Sequence, residues 1–93
     1  MLQYCYPYVL LLSNKFYTGY TDDLKRRLQE HRLGKVVSTR YSRPVILIFY
    51  EAFLNKKDAQ RRERYFKTDK GKKMIRVILR EYFSTTEPLS SNG

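Results

Sequence analysis

Two stretches of the sequence carry ionisable side chains where helices should carry apolar ones. The first is Asp23-Leu24-Lys25-Arg26-Arg27-Leu28-Gln29-Glu30-His31. Successive helical residues rotate by roughly 100°, so with Leu24 at zero, Leu28 falls near roughly +40°, His31 near roughly −20° and Arg27 near roughly −60°. Arg27 and His31 therefore lie on or beside the apolar stripe, while Lys25, Arg26, Gln29 and Glu30 turn away. The second stretch runs from Ala59 to Lys67. With Ala59 at zero, Glu63 lies near roughly +40° and Phe66 near roughly −20°. Lys56, Lys57, Arg61 and Arg64 point elsewhere. A carboxylate among packing residues is costly unless a cation answers it. That cation can be an arginine or a metal ion. Helix geometry alone favours the commoner arrangement, a partly buried Arg27–Glu63 salt bridge. His31 alone reads as a satisfied, half-buried histidine. Tyr8 and Tyr17 alone read as core aromatics, because any one of nine tyrosines says little.

These residues need elements to position them. Tyr6 to Leu12 reads as a strand, Ser13-Asn14-Lys15 as a turn, and Phe16 to Tyr20 as a second strand completing a hairpin. Thr21 or Asp22 can cap the first helix, which runs to about Leu33 with Gly34 as its C′ residue. Lys35 to Pro44 is a basic loop. Val45 to Tyr50 is a continuous apolar run, as expected of a strand covered on both faces. Asn55 caps a second helix through Lys67. Thr68 or Asp69 opens a third, to about Tyr82. The order β-β-α-β-α-α predicts an α+β fold, a three-stranded, mostly antiparallel sheet flanked by helices. One domain is expected over residues 1–83, with residues 84–93 as a mobile polar tail.

The chain has 93 residues, with 19 Lys and Arg against 9 Asp and Glu, a formal charge of +10. So small a domain has a modest core, and its site is expected on an open face or shallow cleft. The charge points to a polyanion. Nucleic acid is the stronger reading, because no stretch approaches a spanning helix and no signal peptide or lipidation motif is evident. Cys5 is the only cysteine. It reads as a small half-buried hydrophobe near a strand start, and one Cys with one His cannot build a thiolate zinc site. A cytoplasmic setting is expected.

Taken in order, the residues resemble the GIY-YIG nuclease superfamily, above all its small single-domain members. The likeness runs from about Tyr6 to Leu79. Tyr6-Pro7-Tyr8-Val9-Leu10 stands where that family has its first tyrosine motif, here without glycine, and Tyr17-Thr18-Gly19 stands for the second. Asp23 to His31 matches the helix carrying the family's arginine and, in one branch, a histidine. Arg43-Pro44 fits the approach to the third strand, and Ala59 to Lys67 fits the helix of the metal-binding glutamate. Tyr20 stands where some relatives have a lysine that approaches phosphate. No single piece is specific; the ordered set is.

The resemblance implies a metal-dependent endonuclease hydrolysing phosphodiester bonds, with DNA the expected substrate and low sequence selectivity or selectivity for structure. It implies Glu63 as ligand of one Mg²⁺ or Mn²⁺ ion, Arg27 on a phosphate oxygen, Tyr17 as general base, Tyr8 as support and His31 as relay. Hydrolysis needs these parts: an activated water, charge stabilisation at phosphorus and protonation of the leaving oxygen. A free phenol has a pKa near ~10, so a tyrosine base needs a neighbouring cation. Lys35, Arg40, Arg43, Lys70, Lys72, Lys73 and Arg76 could track a phosphate backbone, and Tyr41 could stack on a base. Singly, each reads more simply as a solvated surface group. No small-molecule cofactor is expected, and the oligomeric state is left open. Two other readings stand beside the nuclease: a non-catalytic nucleic-acid binding module with the same fold, and a basic structural protein.

Overall fold

The computed structural model describes residues 2–13 and 15–86. The expected fold class is found. Strand β1 (Tyr6–Leu11) pairs antiparallel with β2 (Phe16–Thr21) on one side and with β3 (Ile46–Tyr50) on the other, giving the order β2-β1-β3. Helix α1 (Leu24–Arg32) links β2 to β3, and α2 (Lys56–Phe66), α3 (Asp69–Ile78) and α4 (Arg80–Thr86) follow. The hairpin closes through a Leu12 N–H to Lys15 carbonyl bond of 2.9 Å. Asn14, read as part of that turn, lies outside the described residues, as do residues 87–93 of the expected tail.

β1 is the central strand, so its two faces divide the core. Tyr8, Leu10 and Leu12 pack with Val45, Leu24, Leu28 and Leu47 on the α1 side. Val9 packs with Phe66, Ile75, Ile48 and Phe49 on the side of α2 and α3. A bulge in the β1–β3 register falls between Val9 and Leu10, where Phe49 and Leu47 are partners and Ile48 is the extra residue. It sends Ile48 and Phe49 to the same face.

Several sequence expectations need correction. β3 is an edge strand, so Ile46 and Tyr50 stay exposed at 47% and 51% rather than covered. The first helix is capped by Asp23, whose carboxylate accepts from the Arg26 N–H at 3.1 Å. Thr21 instead holds the cap residue, accepting from the Asp23 N–H at 3.0 Å. The third helix is split at Leu79, which leaves helical geometry at φ −106° and ψ 29°. The turn lets Phe83 reach Phe16 on β2, ring centroids 5.9 Å apart, with the Arg76 guanidinium over both rings. Ser84 to Thr86, read as the start of the tail, continue α4. The other caps are as expected: Asn55 accepts from the Lys57 N–H, Thr68 from the Gly71 N–H, and Gly34 takes the positive φ of 79° that ends α1. Cys5 is buried, not half-buried, and bridges to Phe53.

Candidate active site on the β2 edge

A cleft of about 480 Å³ is lined by Phe16, Tyr17, Thr18, Gly19 and Tyr20 of β2, together with Tyr8, Arg27, Ser38, Glu63, Lys67 and Lys72. Five consecutive strand residues point alternately to both faces, so a cavity touching all of them runs along the free edge of β2. There α1 delivers Arg27 from one face of the sheet and α2 delivers Glu63 from the other.

Tyr8 reaches this edge from the central strand by crossing Gly19, its partner in the β1–β2 register. A Cβ at position 19 would fall 2.5 Å from both Cζ and the hydroxyl of Tyr8. The glycine of the Tyr17-Thr18-Gly19 motif is thus a passage for the Tyr8 ring. Behind Tyr8, His31 is fully buried and joins it through Nε2 at 2.8 Å. The other ring nitrogen, Nδ1, lies 2.8 Å from the Oγ1 of Thr39, also fully buried. Tyr17 packs on the same imidazole edge-on, at 5.1 Å between centroids.

Burial pushes the Tyr8 phenol up to about 12, although the Arg27 guanidinium beside it pulls the other way. Burial and the same guanidinium depress His31, so the imidazole is neutral at neutral pH. Tyr20 is also pushed up to about 12, chiefly by the neighbouring Cys5 thiol. Arg27 is held cationic, first by its bond to Glu30, Nη1 to Oε1 at 2.9 Å.

Arg27 and Glu63 do not pair with each other. Arg27 pairs with Glu30, and Glu63 pairs with Lys67 one turn on, at 3.1 Å. The Glu63 side chain is only 19% exposed, so its carboxylate is partly desolvated at the wall of the cleft. Among the described residues, no three His, Cys, Asp or Glu side chains gather as a metal cluster. One carboxylate in an open cleft suits a hard divalent ion that keeps most of its water and takes phosphate oxygens as further ligands.

The structure therefore gathers Tyr8, Tyr17, Arg27, Glu63 and Lys72 of the sequence candidates around one space, with His31 one layer behind. The other basic candidates lie elsewhere. Lys35 sits on the outer surface of α1 with Asp23, Gln29 and Leu33. Arg43 donates from Nε to the Arg40 carbonyl at 2.9 Å and from Nη1 to the Arg32 carbonyl at 3.1 Å, which ties the loop to the end of α1. The Arg40 guanidinium stacks 5.9 Å over Tyr41, itself 92% exposed. Lys70 and Lys73 are exposed on α3. Ser38, Thr39 and Lys67 were not expected at the site. Lys67 was findable, since it follows Glu63 by four residues on one helix face. Ser38 and Thr39 sit in a loop with no periodicity to place them.

An antiparallel three-stranded sheet with two tyrosines, an arginine and a glutamate meeting at the edge of its hairpin agrees with the match to known proteins. The model of the GIY-YIG catalytic domain matches residues 3–76. The chain belongs to this family of nuclease-type catalytic domains, whose members are generally dependent on divalent metal. More particularly, it is similar to UPF0213 proteins. Those of Streptococcus pyogenes serotypes M5 (strain Manfredo) and M3 (strain SSI-1) are each 49% identical over 67 residues, or 70% of this chain and 73% of theirs. The solution NMR structure of a UPF0213 protein from Bacillus halodurans matches with a TM-score of 0.53 and 32% identity, covering 81% of this chain and 84% of that one. Among the described residues, no helix is long and apolar enough to cross a membrane.

Proposed function

We propose that this cleft hydrolyses phosphodiester bonds within nucleic acid, DNA in the first place, with one Mg²⁺ or Mn²⁺ ion. The observation that carries the reading is the convergence of Arg27, Tyr17, Tyr8 and Glu63, with Lys67 and Lys72, on one open cleft. Glu63 would hold the ion, which supplies Lewis-acid stabilisation of the phosphoryl charge. Arg27, kept cationic by Glu30, offers a planar fork to a non-bridging phosphate oxygen. Tyr17 takes the proton of the attacking water. Tyr8 serves better as a hydrogen-bond donor than as a base, because its burial favours the neutral phenol. His31 reaches the cleft only through Tyr8 and fixes the position of that phenol. Lys67 and Lys72 lie where the flanking backbone of a strand would pass.

Among the described residues no base-reading element lies beside the cleft, so recognition rests on backbone and shape. This suits low sequence selectivity, or selectivity for flaps, nicks and branches as met in repair or recombination. One buried cysteine outside any disulfide suits a reducing, cytoplasmic setting. One observation favours a second reading, a non-catalytic nucleic-acid binding module: the Lys67 ammonium already answers the Glu63 charge.

The test is cleavage of supercoiled plasmid and of branched DNA with Mg²⁺ or Mn²⁺, by the wild type and by Tyr17→Phe. The proposal expects metal-dependent cleavage that Tyr17→Phe removes. Salt-sensitive binding without cleavage would favour the second reading, and no binding to DNA or RNA would remove both.

A further inference from the structure

We infer that Thr39 sets the direction of a buried hydrogen-bond chain, Thr39 to His31 to Tyr8, so that Tyr8 turns its own O–H into the cleft. Three side chains make the chain: Thr39 and His31 at 0% exposure and Tyr8 at 1%. Both links are 2.8 Å. A neutral imidazole has one N–H and one lone pair, so the chain can run in only two senses. Among the described residues, Thr39 Oγ1 has no hydrogen-bond partner besides His31 Nδ1. If Nδ1 carried the proton, it would donate to Thr39 and leave the threonine hydrogen buried without an acceptor. A buried donor without a partner bears its full desolvation penalty. In the other sense, Thr39 donates to Nδ1 and His31 donates from Nε2 to the Tyr8 oxygen. The Thr39 and His31 hydrogens then both have acceptors, and the one hydrogen left over belongs to Tyr8, the member of the chain that lines the cleft. Burial and the Arg27 charge, which keep His31 neutral, are consistent with this arrangement.

The consequence falls on Tyr8. Its oxygen accepts from His31, and the Arg27 guanidinium beside it has donors only and cannot accept. The Tyr8 hydrogen is left to point at the cleft that Tyr8 lines. Thr39 and His31 are thus positioning residues. On the proposed function, on which this step rests, Tyr8 presents a donor to a phosphate oxygen and leaves Tyr17 as the base.

The chain has a single histidine, so its ring nitrogens can be assigned without ambiguity. Long-range ¹H–¹⁵N correlation spectra of the wild type at neutral pH should show the proton on Nε2 and a hydrogen-bonded, unprotonated Nδ1. Thr39→Val removes the donor, so the Nδ1 resonance should move towards that of a bare nitrogen or into exchange between tautomers. Thr39→Ser should keep the wild-type pattern. A wild-type imidazole protonated at Nδ1 would overturn the inference, even if Thr39→Val fails to fold. So would a Thr39→Val spectrum identical to the wild type. The tautomer is read on the protein alone, so failure to cleave DNA would count against the proposed function without deciding this test.

Discussion

The phenol of Tyr8 lies across the backbone of Gly19, so close that a methyl group at position 19 would overlap its ring and hydroxyl. The two residues face each other in the β1–β2 register, and the missing side chain of one is the path of the other. Gly19→Ala must therefore displace Tyr8 and break its link to His31. Overpacking of this kind costs about 1–3 kcal/mol. Urea unfolding should show the loss as a lower midpoint at unchanged slope, and the His31 ring resonances should shift in the folded variant.

A second prediction concerns acid stability. The folded-state pKa of His31 lies below its ordinary value near ~6.5, so as pH falls the unfolded chain takes up the proton first. Stability is then full above about 6.5 and declines as pH drops from there towards the folded value. Urea midpoints measured between pH 7.5 and 5.5 should fall for the wild type. The fall should be smaller for His31→Asn, which has no proton to take up in this range.

Arg27 is the residue whose shape should matter beyond its charge. Arg27→Lys keeps the cation but loses the fork and the bond to Glu30. Removing a preorganised donor to developing charge costs on the order of 10²-fold or more in rate. Cleavage by Arg27→Lys should fall by that order while DNA binding changes little. Equal losses in both would make Arg27 a binding residue only.

The basic side chains divide by position. Lys67 and Lys72 line the cleft, Lys35 lies on the far surface of α1, and Arg43 is held by two carbonyls. Binding to DNA measured against salt should lose about one unit of log–log slope for each of Lys67→Ala and Lys72→Ala. Lys35→Ala should leave the slope unchanged. Arg43→Ala should instead lower the melting temperature, because it frees the loop from the end of α1.

Much of this was legible in the sequence, for physical reasons. Helical periodicity placed Arg27, His31 and Glu63 on inward faces, and the structure finds them half-buried, buried and half-buried. Cap chemistry located the start of α2 to the residue and narrowed that of α3 to Thr68 or Asp69. Periodicity could not say which strand is central, so the apolar run of β3 read as covered on both faces when it is an edge. Nor could it foresee the break at Leu79, which depends on Phe83 meeting Phe16 across the fold. Long-range pairing choices escaped in the same way. The Arg27–Glu63 pair that helix geometry alone favoured is replaced by two local pairs, with Glu30 and with Lys67. Thr39 was only a loop residue until the fold laid it against His31.

Glu63 is the side chain proposed to hold the ion. Glu63→Gln keeps the shape of the side chain and removes the charge that would hold an ion. The decisive measurement compares wild type and Glu63→Gln at matched DNA occupancy, following plasmid and branched-DNA cleavage with Mg²⁺, with Mn²⁺ and with chelator. The prediction is metal-dependent cleavage by the wild type and none by Glu63→Gln, with binding retained in both. Cleavage by Glu63→Gln at the wild-type rate, or wild-type cleavage that persists in chelator, would contradict it.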